Sequence, residues 1–380
     1  MNRGMMILIT GILFLLLAGC STAKVTPDTE ALHETEEPAT STIPQATIET
    51  SPYPLGEPGS YHVGKLQIQT EDADREDRPV GITVWYPALK TGESKPGIPT
   101  LNADPDPGGA PYPLILSSTK MAEDLAPVLV SHGFTWASVD KIDSYYLMNQ
   151  QMIDQPLDIL FTLDQVASHP PESLKGMIDA GRAGTIGYSF DGYNSLALSG
   201  ARIDPQYYLA QCPVPDATSE AITKSSMSAF DCTPAEKWEE FGAHAGKGIT
   251  TSDDGLWQPM TDPRIRAVMS MAGEGWWLFG EKGLAAVDRP VLIIVASSDA
   301  LFAENTLIFK FLGVADKTLI QFNGEDHMMI FDPKSKARMA HFAVAFFGYH
   351  LQGRQDLAYY FSQEFVLQHE DLTWGAKPDD

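Results

Sequence analysis

Residues 183–192 read Ala183-Gly184-Thr185-Ile186-Gly187-Tyr188-Ser189-Phe190-Asp191-Gly192. An apolar run, predicted to be a strand, ends in Gly187-Tyr188-Ser189 and gives way to the first turns of a helix. A strand that turns this sharply into a helix leaves a serine hydroxyl exposed at the turn, the arrangement of a nucleophile elbow. The triplet is short and by itself carries little weight. Two residues further along the chain raise it. Asp299 follows the apolar run Val291-Leu292-Ile293-Ile294-Val295-Ala296, and His327 ends the polar stretch Asn323-Gly324-Glu325-Asp326-His327 after a further strand-like run. Serine, acid and histidine therefore occur in that order, the acid and the histidine each just past an apolar run of their own.

A free serine is too weakly acidic to attack an ester, so Ser189 needs an imidazole to take its proton. His327 is the best candidate, because loops at the carboxyl ends of parallel strands converge on one edge of a sheet. The other histidines fit worse: His132 precedes a strand, His341 and His350 fall in a helical pattern, and His33 lies in a polar N-terminal stretch. His62, His169, His244 and His369 read as surface or cap residues. Asp299 is the expected partner that fixes the His327 tautomer, with room for a helix and a strand between the two. The competing acid is Glu274, in Ala272-Gly273-Glu274-Gly275, one strand earlier. Donors for a developing oxyanion are expected from the backbone N–H of Phe190 and of Lys120, with Met121 next, in the loop Ser117-Ser118-Thr119-Lys120-Met121.

The pattern around these residues alternates strand and helix. Strands are predicted over 61–70, 80–86, 113–117, 134–139, 183–188, 265–271, 290–296 and 317–322. Helical spacing occupies 123–132, 156–166, 194–199 and 334–350. Alternation of this kind predicts an α/β protein, a mostly parallel central sheet with helices on both faces. Residues 205–262 interrupt it with several prolines, Trp238, Trp257 and no clear strand, and read as a cap or lid insertion.

The 380 residues carry a formal net charge of −24, which argues against nucleic acid as a partner and against basic adsorption to anionic lipid. The N-terminus reads as a targeting segment: Arg3, then an apolar stretch over 5–18 about the length of a signal-peptide core. It is followed by Leu17-Ala18-Gly19-Cys20-Ser21, which resembles a bacterial lipobox with Cys20 as the lipidated residue. Residues 1–20 are thus expected to be a lipoprotein signal peptide, and residues 21–58, rich in Thr, Ser, Pro and Glu, a flexible tether to the membrane. The catalytic domain is expected over 59–380. Of three cysteines, Cys212 and Cys232 remain once Cys20 is set aside, an even number that predicts one disulfide in an exported protein. No companion ligands flank them, so a zinc site is not expected.

Together with the elbow, Val80-Gly81-Ile82-Thr83-Val84-Trp85-Tyr86-Pro87, Pro156-Leu157-Asp158-Ile159-Leu160-Phe161-Thr162-Leu163-Asp164 and Glu325-Asp326-His327 resemble the bacterial relatives of platelet-activating factor acetylhydrolase. These belong to the α/β-hydrolase superfamily and are often labelled dienelactone hydrolases. The resemblance spans residues 59–375 and implies an α/β-hydrolase fold. It further implies an exported carboxylic-ester hydrolase without metal or cofactor, acting on short-acyl or phospholipid-like esters. The nucleophile is serine, where true dienelactone hydrolases use cysteine. Two positions depart from the pattern: Ser118-Thr119 replaces His-Gly in the oxyanion loop, and Asp191 replaces the second glycine of Gly-x-Ser-x-Gly. The opposite charges of Lys120 and Asp191 raise the expectation of an ion pair across the elbow. Trp276, Trp277, Tyr145 and Tyr146 follow strands near the same edge and are expected to line an apolar pocket. The alternatives are a depolymerase of polyesters, a deacetylase of polysaccharide esters, a peptidase of the same fold and, from another class, a catalytically silent binding lipoprotein.

Overall fold

The computed structural model describes residues 51–92, 95, 97–140, 148–212 and 232–376. Cys20, Tyr145 and Tyr146 lie outside the described residues, as do residues 1–50, where the signal segment and most of the tether are expected.

The architecture is α/β. Ten strands form one mixed, mostly parallel sheet: β1 (His62–Asp72), β2 (Arg78–Ala88), β3 (Thr100–Leu101), β4 (Tyr112–Ser118), β5 (Thr135–Val139), β6 (Ile178–Tyr188), β7 (Ile265–Met271), β8 (Val291–Ala296), β9 (Lys317–Phe322) and β10 (Leu372–Trp374). Their order across the sheet is β10-β9-β8-β7-β6-β4-β5-β2-β1-β3. The six strands β4 to β9 run parallel, while β1 and β2 form an antiparallel hairpin and β10 pairs antiparallel with β9. The short strands β3 and β10 carry no pattern long enough to be read from sequence. Chain order reverses between β4 and β6. Loops leave in opposite directions at such a point and open a crevice at the carboxyl ends of the strands.

The main helices are α1 (Thr119–Ser131), α2 (Met148–Ser168), α3 (Phe190–Leu198), α4 (Pro205–Gln211), α5 (Trp238–Ala245), α6 (Trp276–Leu284), α7 (Phe302–Phe311) and α8 (Pro333–Gln352). Alternate residues of a strand face opposite sides of a sheet. Leu114 and Leu116 accordingly join the core that contains Phe190, Trp277 and Leu278, while Ile115 joins the core of Trp136, Tyr188 and Phe342. Both faces are buried, which is why the central strands read as unbroken apolar runs.

The packed part of the chain begins inside the stretch expected to be a tether. Tyr53, inside the stretch read as flexible, is buried; its hydroxyl donates to Asp371 Oδ1 at 2.8 Å, and its ring stacks on His369. Leu55 N–H donates to His341 Nδ1 at 3.1 Å. An average polar composition hid two apolar anchors.

The described part of the insertion is helical: α4, then Thr233–Glu236, α5 and Lys247–Thr250. A Cys212–Cys232 disulfide joins its two arms. Trp238, Phe241 and Trp257 stack on one another, and Tyr208 packs on Trp238 and Trp277. His244 Nε2 lies 2.9 Å from Asp154 Oδ1 of α2.

Candidate active site

Strand β6 delivers Ser189 at the turn into α3 with φ 59° and ψ −123°, a conformation that side-chain-bearing residues rarely adopt. The turn closes because Gly187 has no side chain: a Cβ there would sit 1.9 Å from the Asp191 carbonyl oxygen. Gly192, one residue past the expected second glycine, lets α3 approach the neighbouring loop, since its Cβ would lie 2.5 Å from Gly273 Cα. Asp191 is buried and receives the Asn194 side-chain amide at 3.3 Å.

Ser189 Oγ lies 3.0 Å from His327 Nε2, and His327 Nδ1 lies 2.8 Å from Asp299 Oδ2. The three residues come from the ends of β6, β8 and β9, and the structure joins them as one hydrogen-bonded chain. Asp299 is almost fully buried, with Oδ1 held by Leu301 N–H at 2.8 Å. Its free geometry is spent, so Oδ2 is fixed on the imidazole. The histidine loop is tied at several points. Tyr188 O–H donates to the His327 carbonyl at 2.8 Å, Gly324 N–H to Ser297 Oγ at 2.8 Å, and Ser298 N–H to the Glu325 carbonyl at 2.8 Å. Buried Arg338 joins Glu325 to Asp371, the residue that also holds Tyr53. Burial pushes the Tyr188 phenol well above its ordinary value, so it stays a neutral donor.

The competing acid, Glu274, has its Oε1 3.4 Å from Ser189 Oγ. The loop that carries it is held by two residues of α7: Glu304 accepts from Gly275 N–H at 2.8 Å and Trp276 N–H at 3.0 Å, and Asn305 bonds both the N–H and the carbonyl of Gly273. Glu304 and Asn305 escaped the sequence reading because nothing local distinguishes a buried polar pair on a helix from a solvated one.

No loop separates β4 from α1. Ser118 occupies the N-cap position, and Lys120 lies in the first helical turn, as Phe190 does in α3. N–H groups of a first turn point away from the helix without an intrahelical acceptor, and two such ends flank the β4–β6 reversal. Of the two residues expected to pair across the elbow, Lys120 has its Nζ 5.9 Å from the centre of the Tyr188 ring, and Asp191 accepts from the Asn194 side-chain amide.

Trp276 and Trp277, expected in the pocket, are buried in aromatic packing: Trp276 stacks on Phe311 with its edge to Tyr207, and Trp277 meets Tyr208. A cleft of about 420 Å³ beside His327 is lined instead by Lys120, Asp124, Tyr188, Met328, Ile330, Phe331 and Lys336. The exposed apolar side chains of Met328 and Phe331, immediately after the histidine, were the available sequence signal. Among the described residues, no group of three His, Cys, Asp or Glu side chains is placed to hold a metal ion, and no helix is long and apolar enough to cross a membrane. No protein-family model matches this chain, and no curated protein matches it in sequence.

Proposed function

We propose that the chain is a serine hydrolase of carboxylic esters with an α/β-hydrolase fold, exported and held at the bacterial envelope through lipidated Cys20. The observation that carries the reading is the Ser189–His327–Asp299 chain, with contacts of 3.0 and 2.8 Å in the order that proton transfer requires. The strained turn at Ser189 and its place beside the β4–β6 reversal support the same conclusion, as does the antiparallel β1–β2 start of the sheet. The disulfide fits an oxidising compartment.

In this mechanism Ser189 Oγ attacks the ester carbonyl carbon while His327 Nε2 takes its proton. Asp299 Oδ2 accepts from Nδ1–H and stabilises the imidazolium. The oxyanion is met by the N–H groups of Phe190 and Lys120 at two helix N-termini. His327 returns the proton to the departing alcohol oxygen, which leaves an acyl-Ser189. A water molecule then gives its proton to His327 as it attacks the acyl carbon, and Ser189 recovers the proton as the carboxylic acid leaves. The cleft beside His327, apolar through Met328, Ile330 and Phe331, suits an apolar group of the ester.

A fluorophosphonate probe tests this directly. Labelling at Ser189, abolished in Ser189→Ala and in His327→Ala together with p-nitrophenyl acetate hydrolysis, is the expected result. Intact esterase activity in Ser189→Ala overturns the reading.

A further inference from the structure

A carboxylate beside the Ser189 hydroxyl, where negative charge builds on the attacking oxygen and then on the carbonyl oxygen next to it, opposes the reaction of a neutral ester. Glu274 nevertheless stands 3.4 Å from Ser189 Oγ, and the fold holds the backbone that carries it. Ala272, at the start of its loop, takes φ 44°, and Gly275, at the end, takes φ 122° with its would-be Cβ 2.8 Å from the Phe279 ring. Between them the loop backbone is fixed by Glu304 and Asn305, both about 1% exposed. These two belong to α7, which starts three residues after Asp299. The loop bearing Glu274 and the loop bearing the acid are therefore braced by one helix.

A held carboxylate is a preorganised receptor for a cation, because the cost of ordering it is met by the fold before substrate arrives. The distance sets which cation. An attacked carbonyl carbon stands about 3 Å from Oγ, and a nitrogen on the adjacent carbon lies about 2.5 Å from that carbonyl carbon. Such a nitrogen reaches Glu274 Oε1 at a charge-assisted hydrogen-bond distance of about 2.8 Å. A cation several bonds further along the substrate reaches this oxygen only by folding its chain back, which adds an ordering cost that the adjacent position does not carry. The net charge of −24 also raises the local concentration of cationic substrates at low salt.

We propose that Glu274 is the specificity-determining residue of this site and receives a protonated amino group on the carbon next to the scissile carbonyl, so that the preferred substrates are α-aminoacyl esters. The inference rests on the serine-hydrolase reading and selects a substrate class within it.

The test compares L-alanine methyl ester with methyl isobutyrate, which puts a methyl group where the ammonium stands. Both are assayed with the full chain below the α-amino pKa of about 7.7–8. The ratio of kcat/KM values is measured for wild type, Glu274→Gln and Glu274→Asp, so that the intrinsic reactivity of each ester cancels between variants. Loss of a charge-assisted contact predicts a ratio lower by about 10- to 100-fold in Glu274→Gln. The cationic ester loses and the neutral ester gains, and Glu274→Asp recovers part of the preference. A gain on the neutral ester also shows that the variant is folded. A ratio within about threefold of wild type, with Ser189→Ala inactive on both esters, overturns the role of Glu274 and leaves the hydrolase reading standing. Turnover of neither ester, with no probe labelling at Ser189, overturns both.

Discussion

Replacing Asp299 with Asn isolates the part of the site that sets the imidazole tautomer. In the wild type, Asp299 Oδ1 is occupied by Leu301 N–H at 2.8 Å and Oδ2 faces His327 Nδ1 at 2.8 Å. An asparagine that keeps its oxygen on Leu301 N–H presents its NH2 group to Nδ1. Nδ1 then has to accept, the proton moves to Nε2, and Nε2 faces Ser189 Oγ as a donor instead of a base. The opposite flip sets the NH2 group against Leu301 N–H and leaves buried donors unpaired, at a cost of about 1–3 kcal/mol. The first arrangement removes the base without changing side-chain volume, and the second, which would keep it, is disfavoured by that cost. The expected loss in kcat is about 10²–10⁴-fold, or about 3–5.5 kcal/mol of transition-state stabilisation. Steady-state hydrolysis of p-nitrophenyl acetate reads the loss, and an unchanged melting temperature shows that the fold survives. A kcat within tenfold of wild type in a folded Asp299→Asn protein refutes the assignment, and the acid role then passes to another carboxylate.

Burial holds the His341 imidazole far below its ordinary value, at about 3 against 6.5. Its Nδ1 accepts from Leu55 N–H, so the neutral ring carries its proton on Nε2. The unfolded chain binds that proton first as pH falls. Stability from this group is therefore complete above pH 6.5 and is lost from there down toward pH 3, by up to roughly 4–5 kcal/mol. Urea titrations across that range should show a steeper fall for wild type than for His341→Leu, and parallel profiles would refute the idea. Gly187→Ala places a Cβ 1.9 Å from the Asp191 carbonyl, a backbone atom that cannot swing away. It should lower stability by about 1–3 kcal/mol or more and abolish probe labelling of Ser189; a normally labelled, equally stable variant would argue against the turn described. Reducing the Cys212–Cys232 bond releases a loop with a sequence separation of 20. A loss of about 3 kcal/mol is expected, read as a lower melting temperature that Ser replacements reproduce. Two titratable thiols in the unreduced protein would remove the premise.

Much of this molecule was legible locally. The central strands announced themselves because both faces of a parallel sheet are covered, which leaves uninterrupted runs such as 291–296. The elbow was legible because a turn with φ 59° at Ser189 needs a glycine two residues earlier, and short-range sterics write that requirement into neighbouring positions. Asp299 and His327 were found for a similar reason, since parallel strands deliver their following loops to one edge. The α/β class, the disulfide pair and the serine–histidine–acid chain follow from such short-range rules. The tertiary structure decided what depends on distant segments meeting. Sheet order sets β7 between β6 and β8, and this brings Glu274 to the serine. Packing against α4 and α7 turned Trp276 and Trp277 inward, and docking on α8 and the C-terminal segment drew Tyr53 and Leu55 out of a stretch whose composition reads as unstructured. The sequence determined which residues stand at the ends of the central strands, through local geometry and charge. Only the fold determined which of them share a solvent-excluded space, because that depends on chain segments far apart in sequence.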